Sequence, residues 1–145
     1  QSSIYAAAGD RGLVDAVRGS IDYRGGDWQG VEGADLDVTI DLGWSQPVHG
    51  VKTGFLQNPG PGIFLPTRVT VWTSVDGSAF ELAGTLGHAV ALDAAAPLRY
   101  YFEIPTDGSD ARYVRVKAET IGVCPPGHQR AGQKAWIYAD EIIVR

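Results

Sequence analysis

The chain has 145 residues, one cysteine, no methionine and a formal net charge of −5. This length suits one ordinary domain with a real core, since such a chain buries roughly 68 to 70 % of its unfolded surface. The acidic balance argues against nucleic acid as a partner, and no apolar run approaches the ~20 residues that cross a bilayer, so we expect no membrane partner. A single cysteine excludes an intrachain disulfide.

Nearly all predicted elements are strands, because alternating apolar and polar residues recur along the chain. The exception is one short helix predicted over residues 11–19. Strands are predicted within 35–43 and within 68–77, the second of which ends in an Asp-Gly turn. Further strands are predicted at 80–86, 98–104, 112–118 and 136–144. Seven or eight short strands separated by Gly, Pro, Asn and Asp predict an all-β fold, an antiparallel β-sandwich. We find no repeat and no linker, and therefore predict a single domain over residues 1–145.

Three glycine-rich loops combine planar polar side chains with aromatic ones. These are "IDYRGGDWQG" at 21–30, the proline-glycine stretch within 54–66, and "PGHQRAGQKAW" at 126–136. Amide and guanidinium groups donate hydrogen bonds in fixed directions, and aromatic rings offer apolar area at low entropy cost, which suits a sugar ligand. The candidate sugar-binding residues are Arg24, Trp28, Gln57, Asn58, Phe64, His128 and Arg130.

Phe64 has two interpretations that the residues alone leave open. In "NPGPGIFLP" the prolines and glycines hold Ile63 and Phe64 in a stiff loop, and a preorganised loop loses less entropy on binding. Phe64 then either faces out as a platform or folds inward with Leu65 to close the end of the sandwich. Trp28 and Trp136 carry the same ambiguity, because packing at a strand entrance explains them at least as well as stacking.

The sequence favours a protein that is not an enzyme by itself. His49, His88 and His128 lack the spacing of a zinc site, and no nucleophile elbow, phosphate loop or dinucleotide fingerprint is present. Cys124 precedes His128 by four residues, so a Cys-His pair is conceivable, but two consecutive prolines stiffen the loop and no third group orients the pair. An unpaired thiol is the better interpretation.

The order of several motifs resembles a known family. "TIDLG", "VTVWTSVDG", "RYVRVKA" and the closing "ADEIIV" follow one another as in the discoidin or factor V/VIII type C family. Within it the chain looks most like the family 32-type carbohydrate-binding modules of bacterial glycoside hydrolases such as β-hexosaminidases. The resemblance covers nearly the whole chain. It implies an eight-stranded antiparallel jelly roll of the galactose-binding-domain-like kind, with ligand-binding loops at one end.

The resemblance also implies a structural Ca²⁺ ion as cofactor. Carried over by position, side chains of Asp15, Ser20 and Glu141 and carbonyl groups of Gly12, Val17 and Asp140 form the metal site. Ca²⁺ takes six to eight oxygen ligands of these kinds. The alternative is that Asp15 caps a helical turn and that Glu141 is a surface charge.

The function implied is that of a non-catalytic module that targets an attached secreted glycoside hydrolase to glycans. The expected partners are a mono- or oligosaccharide of the galactose or N-acetylhexosamine type and the parent catalytic domain. We expect a secreted or cell-surface bacterial protein, the periplasm being a further option, and a chain that begins with Gln1 and lacks Met suggests processing or a piece of a longer protein. The alternative is an accessory domain that packs on its catalytic domain without binding sugar. Phospholipid binding fits the acidic balance poorly.

Overall fold

The structure is a computed structural model that describes residues 3–6, 29–92 and 97–145, with backbone alone for 3–6, 29, 140 and 141. These residues form nine strands, namely β1 (Ser3–Ala6), β2 (Gln29–Glu32), β3 (Leu36–Pro47), β4 (Gly50–Gln57), β5 (Arg68–Ser74), β6 (Glu81–Gly87), β7 (Leu98–Pro105), β8 (Asp110–Glu119) and β9 (Trp136–Val144). Nothing in this described portion is a helix long and apolar enough to cross a membrane. The helix predicted at 11–19 lies outside it.

The strands form two sheets, which confirms the all-β sandwich. One sheet has the order β1-β3-β8-β5-β6 and the other the order β2-β9-β4-β7. All neighbours pair antiparallel except β1 and β3, which are parallel. Within the described ranges the count is nine rather than seven or eight. No predicted strand corresponds to β1 or β2, which are each four residues long, and such short strands leave little periodicity to detect in the sequence.

The core lies between the two sheets, and β3 and β8 each direct alternate side chains toward it. Val38 and Ile40 of β3 are at most 1 % exposed, and so are Val114 and Val116 of β8. From the four-stranded sheet, the rings of Phe55 and Phe102 meet edge to face at 5.6 Å. Burial of these apolar faces drives the folding of the sandwich, because each such side chain contributes about 1.5–3 kcal/mol on leaving water.

The outside of the five-stranded sheet carries paired charges. Arg115 donates to both carboxylate oxygens of Asp37, at 2.9 and 2.6 Å, and lies over the ring of Trp72 at 5.0 Å. Arg112 binds Asp41 in the same two-pronged way, at 2.8 and 3.0 Å. The hydrogen bond from Arg112 holds the pKa of Asp41 below its ordinary value. We call these five residues the outer charged face.

The direction of β4 defines the two ends of the sandwich. At its start, the backbone of Gly50 exchanges hydrogen bonds with that of Arg145, the last residue. At its other end, Gln57 leads into the connection to β5. We call the end formed by residues 58–67, between β4 and β5, and residues 120–135, between β8 and β9, the loop end.

Candidate binding site at the loop end

The proline-glycine connection closes on itself as a tight hairpin. The N–H of Asn58 donates to the carbonyl of Ile63 at 2.9 Å, and the N–H of Ile63 donates back at 3.1 Å. The N–H of Gly62 donates to the carbonyl of Pro59 at 2.9 Å. Gly62 has a φ of +89°, a conformation that glycine adopts without steric cost. Two prolines and this turn fix the loop.

The second connection, residues 120–135, is also held by its own backbone. The N–H of Cys124 donates to Gln133 at 2.8 Å, and Cys124 accepts from Gly132 at 3.1 Å. A further bond joins Ala135 to the carbonyl of Gly122 at 3.1 Å. The loop therefore has a defined shape although it contains no regular strand.

His128 ties the two connections together. Its Nδ1 accepts a hydrogen bond from the N–H of Arg130 at 2.9 Å, so in the neutral ring the proton is on Nε2. Nε2 lies 2.5 Å from the carbonyl oxygen of Pro59 and donates to it. Both ring nitrogens are thus used within the protein. His128, which the sequence predicts as a sugar contact, supports the site instead of offering a free nitrogen to a ligand.

Phe64 faces inward, which decides between its two interpretations. It is 1 % exposed, packs with the buried Cys124 and Ala135, and meets the His128 ring nearly edge to face at 5.6 Å. Its backbone N–H donates to the carbonyl of Trp136 at 3.0 Å, which anchors the hairpin to the start of β9. The prediction that Phe64 contacts the ligand is therefore wrong, because core packing takes its ring.

Gln57 requires the same correction. It is fully buried, its Nε2 donates to the carbonyl of Ala91 at 2.9 Å, and its Oε1 accepts from the N–H of Leu65 at 3.5 Å. A buried amide must have its donors and acceptors satisfied, and these partners are internal. Gln57 supports the base of the hairpin and does not reach a ligand at the surface.

Four other polar side chains of the loop end lie partly or fully at its surface and remain available to a ligand. Asn58 is half-buried, Gln129 is exposed and donates to the carbonyl of Gly60 at 3.3 Å, and Gln133 is exposed. Arg130 is half-buried, and its Nε is buried beside Gly62 and Cys124 without a hydrogen-bond partner in the described part. The arrangement is a rigid surface with amide and guanidinium donors, which can bind a ligand rich in hydroxyl or other acceptor oxygens.

Cys124 and His128 do not form a reactive pair. The thiol is 1 % exposed in the cluster with Phe64, while both nitrogens of His128 are bonded elsewhere. The contact of His128 with Pro59 joins residues 69 positions apart, and sequence reasoning missed it. No local pattern signals such a contact.

The neighbouring loop of residues 88–92 also contacts this end. His88 accepts a hydrogen bond on Nδ1 from the N–H of Val90 at 2.9 Å and lies against Tyr100 and Phe102. Partial burial lowers the pKa of His88, and a hydrogen bond with the backbone of Pro66 works in the opposite direction. Because the carbonyl of Ala91 accepts a hydrogen bond from Gln57, the loop of residues 88–92 stabilises the base of the hairpin.

The remaining predicted residues divide between the undescribed part of the chain and β9. Arg24 and Trp28 lie outside the described residues, and so do Gly12, Asp15, Val17 and Ser20. Asp140 and Glu141 lie on β9, where the register with β4 shifts between Thr53 and Phe55. Across this shift Thr53 pairs with Ile142 and Phe55 with Ala139, so both acidic residues oppose Gly54 alone in a β-bulge. The described side chains include no group of three His, Cys, Asp or Glu suited to a metal.

A cleft of about 400 Å³ lies at the opposite end, around His49, Lys52, Glu103 and Arg145. None of the predicted site residues lines it. Lys52 extends over the ring of Tyr101, with Nζ 4.8 Å from the ring centroid. The cleft is therefore separate from the loop end.

No family model and no curated protein matches the chain. One similar solved structure is the C-terminal domain of a chitobiase from Bacteroides fragilis, with 26 % identity over 77 % of this chain and a TM-score of 0.41. A second is a family 32 carbohydrate-binding module of a family 31 glycoside hydrolase from Clostridium perfringens, with 19 % identity, 79 % of this chain and 69 % of that chain covered, and a TM-score of 0.49. A third is another Clostridium perfringens module in complex with GalNAc-β-1,3-galactose, with 14 % identity, 82 % of this chain and 95 % of that chain covered, and a TM-score of 0.44. The chain spans 62 % of the length of the chitobiase structure. The chain resembles family 32 carbohydrate-binding modules. This is the resemblance that its sequence motifs carry.

Proposed function

We propose that the chain is a non-catalytic carbohydrate-binding module whose ligand binds at the loop end. The observation that carries the proposal is the pair of loops locked by their backbones and by His128, with Asn58, Arg130 and Gln133 left on the surface. Sugar hydroxyls both donate and accept hydrogen bonds, and side-chain amides are the neutral groups that match both roles. The family that the sequence motifs resemble has its ligand-binding loops at one end of the sandwich, which supports a site at the loop end.

Rigid support matters because the surface is small. A mono- or oligosaccharide that makes a few hydrogen bonds must offset its lost translational freedom, so we expect a binding free energy of about 4 to 6 kcal/mol. A loop already held in place adds no ordering cost to that balance. Asn58 and Arg130 keep their proposed role as direct contacts, while Gln57, Phe64 and His128 hold the surface in shape. Arg24 and Trp28 are proposed as contacts from the 21–30 loop.

The wider setting is proposed on the resemblance alone. The module would be attached to a secreted or cell-surface bacterial glycoside hydrolase and would keep that enzyme near its glycan. Galactose and N-acetylhexosamines are the first ligands to test. By itself the chain would be inert toward glycosidic bonds, and purified protein that hydrolyses aryl glycosides in proportion to its concentration would contradict this.

A structural Ca²⁺ ion is part of the proposal. The β-bulge opposite Gly54 supports it, because a bulge redirects side chains and leaves the extra residue out of the ladder, as a carbonyl ligand at Asp140 requires. Glu141, Asp15 and Ser20 would add side-chain oxygens, and Gly12 and Val17 carbonyls. With free Ca²⁺ at ~100 times its dissociation constant, the ion would stabilise the fold by about 2.7 kcal/mol. An unchanged melting curve in excess EDTA, with no metal found by elemental analysis, would refute the site.

The binding proposal is tested by titration with galactose, N-acetylglucosamine and N-acetylgalactosamine, followed by NMR. We expect shifts to concentrate at residues 58–62 and 128–134. Gln133→Ala should weaken binding several-fold, whereas Gln46→Ala, a matched change on β3, should leave it unchanged. If no sugar binds at millimolar concentration, or if the shifts lie on the outer strands, the proposed site is refuted and the accessory-domain alternative replaces it.

A further inference from the structure

Arg130 differs from the arginines of the five-stranded sheet. Arg68, Arg112 and Arg115 each bind a carboxylate, at 3.0, 2.8 and 2.6 Å respectively. The guanidinium of Arg130 has no hydrogen bond or ion pair to any residue in the described portion of the chain. Its Nε is buried, while the residue as a whole is partly exposed at the loop end. The charge is held in place but is not paired.

The immediate surroundings offer no carboxylate from the same loops. None of the 17 acidic residues lies within 58–67 or 120–135, although those stretches contain Arg130 and Lys134. The loop end is thus locally basic in a chain of net charge −5. Unpaired buried donors are uncommon in folded proteins, and a missing ligand is one recognised reason for them.

The position of Arg130 is fixed from both sides. Its N–H donates to His128 Nδ1, and its side chain lies beside Gly62, whose hypothetical Cβ would be 3.6 Å from Nε. A planar guanidinium held in this way presents a fork that matches the two oxygens of a carboxylate. Hydroxyl groups of a neutral sugar use this fork less well, because they carry no charge.

We propose that the ligand of the loop end is an acidic saccharide, a uronic acid or an oligomer of one, whose carboxylate pairs with Arg130. This inference rests on the proposed function and specifies the substrate class of the same site. The net negative charge of the protein opposes such a ligand only at long range, where salt screens it, while the pair with Arg130 is short-ranged. Lys134 adds a second positive charge to the same loop, where its side chain lies against Gly33.

The test compares galactose with galacturonate, which differ only in the group at carbon 6, by calorimetry on the whole chain. A charge-assisted hydrogen bond makes galacturonate bind roughly tenfold more tightly at low salt, and this advantage shrinks as salt is added. Arg130→Gln should abolish the advantage, so that galacturonate and galactose bind the variant equally, and galactose itself should bind it more weakly because Arg130 is one of its proposed contacts. Arg68→Gln makes the same change of charge on the five-stranded sheet, and should leave the advantage intact.

The outcomes separate the two proposals. If galactose binds and galacturonate binds no more tightly, the acidic ligand is refuted while carbohydrate binding stands. If neither binds, the proposed function itself fails. An advantage that survives in Arg130→Gln, with the variant melting at the wild-type temperature, refutes the assignment of Arg130. Equal losses in Arg130→Gln and Arg68→Gln would indicate a general effect of charge and would also overturn the pairing.

Discussion

The outer charged face and the loop end use charged side chains in opposite ways. On the sheet, Arg115 and Arg112 are each bound by two hydrogen bonds to an aspartate on β3. At the loop end the backbone makes the structural hydrogen bonds, and Arg130 has no carboxylate partner among the described residues. Where side chains hold the structure they are satisfied by one another. Where the backbone, His128 and Gln57 hold it, other polar side chains remain available for a ligand.

The largest effect that this comparison predicts is on stability, at Phe64. Phe64→Ala should lower the free energy of unfolding by about 3–5 kcal/mol, because a fully buried ring leaves a cavity between Cys124 and Ala135. Trp44→Ala removes a larger side chain that is 66 % exposed, and should stay within about 0.5 kcal/mol of wild type. Urea unfolding measures both. Equal stabilities for the two variants would mean that Phe64 does not close the loop end.

A second prediction concerns Gly62, with Gly127 as its control. Their φ angles are +89° and +88°, so alanine is strained at both positions. A Cβ on Gly62 would lie 3.2 Å from Sγ of Cys124, whereas one on Gly127 has nothing within 4 Å. The left-handed strain common to both costs about 1–2 kcal/mol, and Gly62→Ala should be the less stable variant by the added crowding. Equal thermal shifts would show that the hairpin can move away from Cys124.

The third prediction sets Arg115 against Arg130 directly. Arg115→Gln should destabilise the fold by about 1 kcal/mol, since Asp37, whose side chain is 11 % exposed, loses a two-pronged partner. The carboxylate of Asp37 raises the pKa of Arg115 through this hydrogen bond, so Arg115 keeps its charge up to the alkaline end of the accessible pH range. Arg130→Gln breaks no such bond and should leave the melting temperature unchanged. Destabilisation of both variants by the same amount would remove the distinction.

The sequence predicts the sheets well because their pattern is local. The alternation in "DLDVTIDLG" predicts a strand within 35–43, and β3 covers Leu36–Pro47 with Val38 and Ile40 buried. The same alternation places Asp37 and Arg115 outside, although only the structure shows that they pair. β1 and β2, with four residues each, are too short to show such an alternation, and no strand is predicted there.

The loop end was predicted less well because its residues are placed by contacts distant in the sequence. Three consecutive residues, Ile63, Phe64 and Leu65, are all buried, which an alternation of apolar and polar residues does not predict. Gln57 is polar yet buried, because it serves the backbone of Leu65 and of Ala91, 34 residues away. Residue type suggested Arg130 for a polar site, and the structure leaves its buried Nε without a hydrogen-bond partner among the described residues. It could not separate side chains that face a ligand from those that support the loop.

The smallest effect expected is a pH dependence that originates at His88, beside the loop end. Burial holds its folded-state pKa below the ordinary value of about 6.5, so between these two values the unfolded chain binds more protons than the folded one. Stability should be constant above about pH 7 and fall as the pH is lowered through 6.5 towards the folded pKa. Protonation also turns Nδ1, the acceptor of the Val90 N–H, into a donor. His88→Asn keeps an acceptor there and should flatten the loss of melting temperature between pH 7 and pH 5.5, with His49 and His128 unchanged in both proteins. Parallel losses in wild type and variant would assign the dependence to another group.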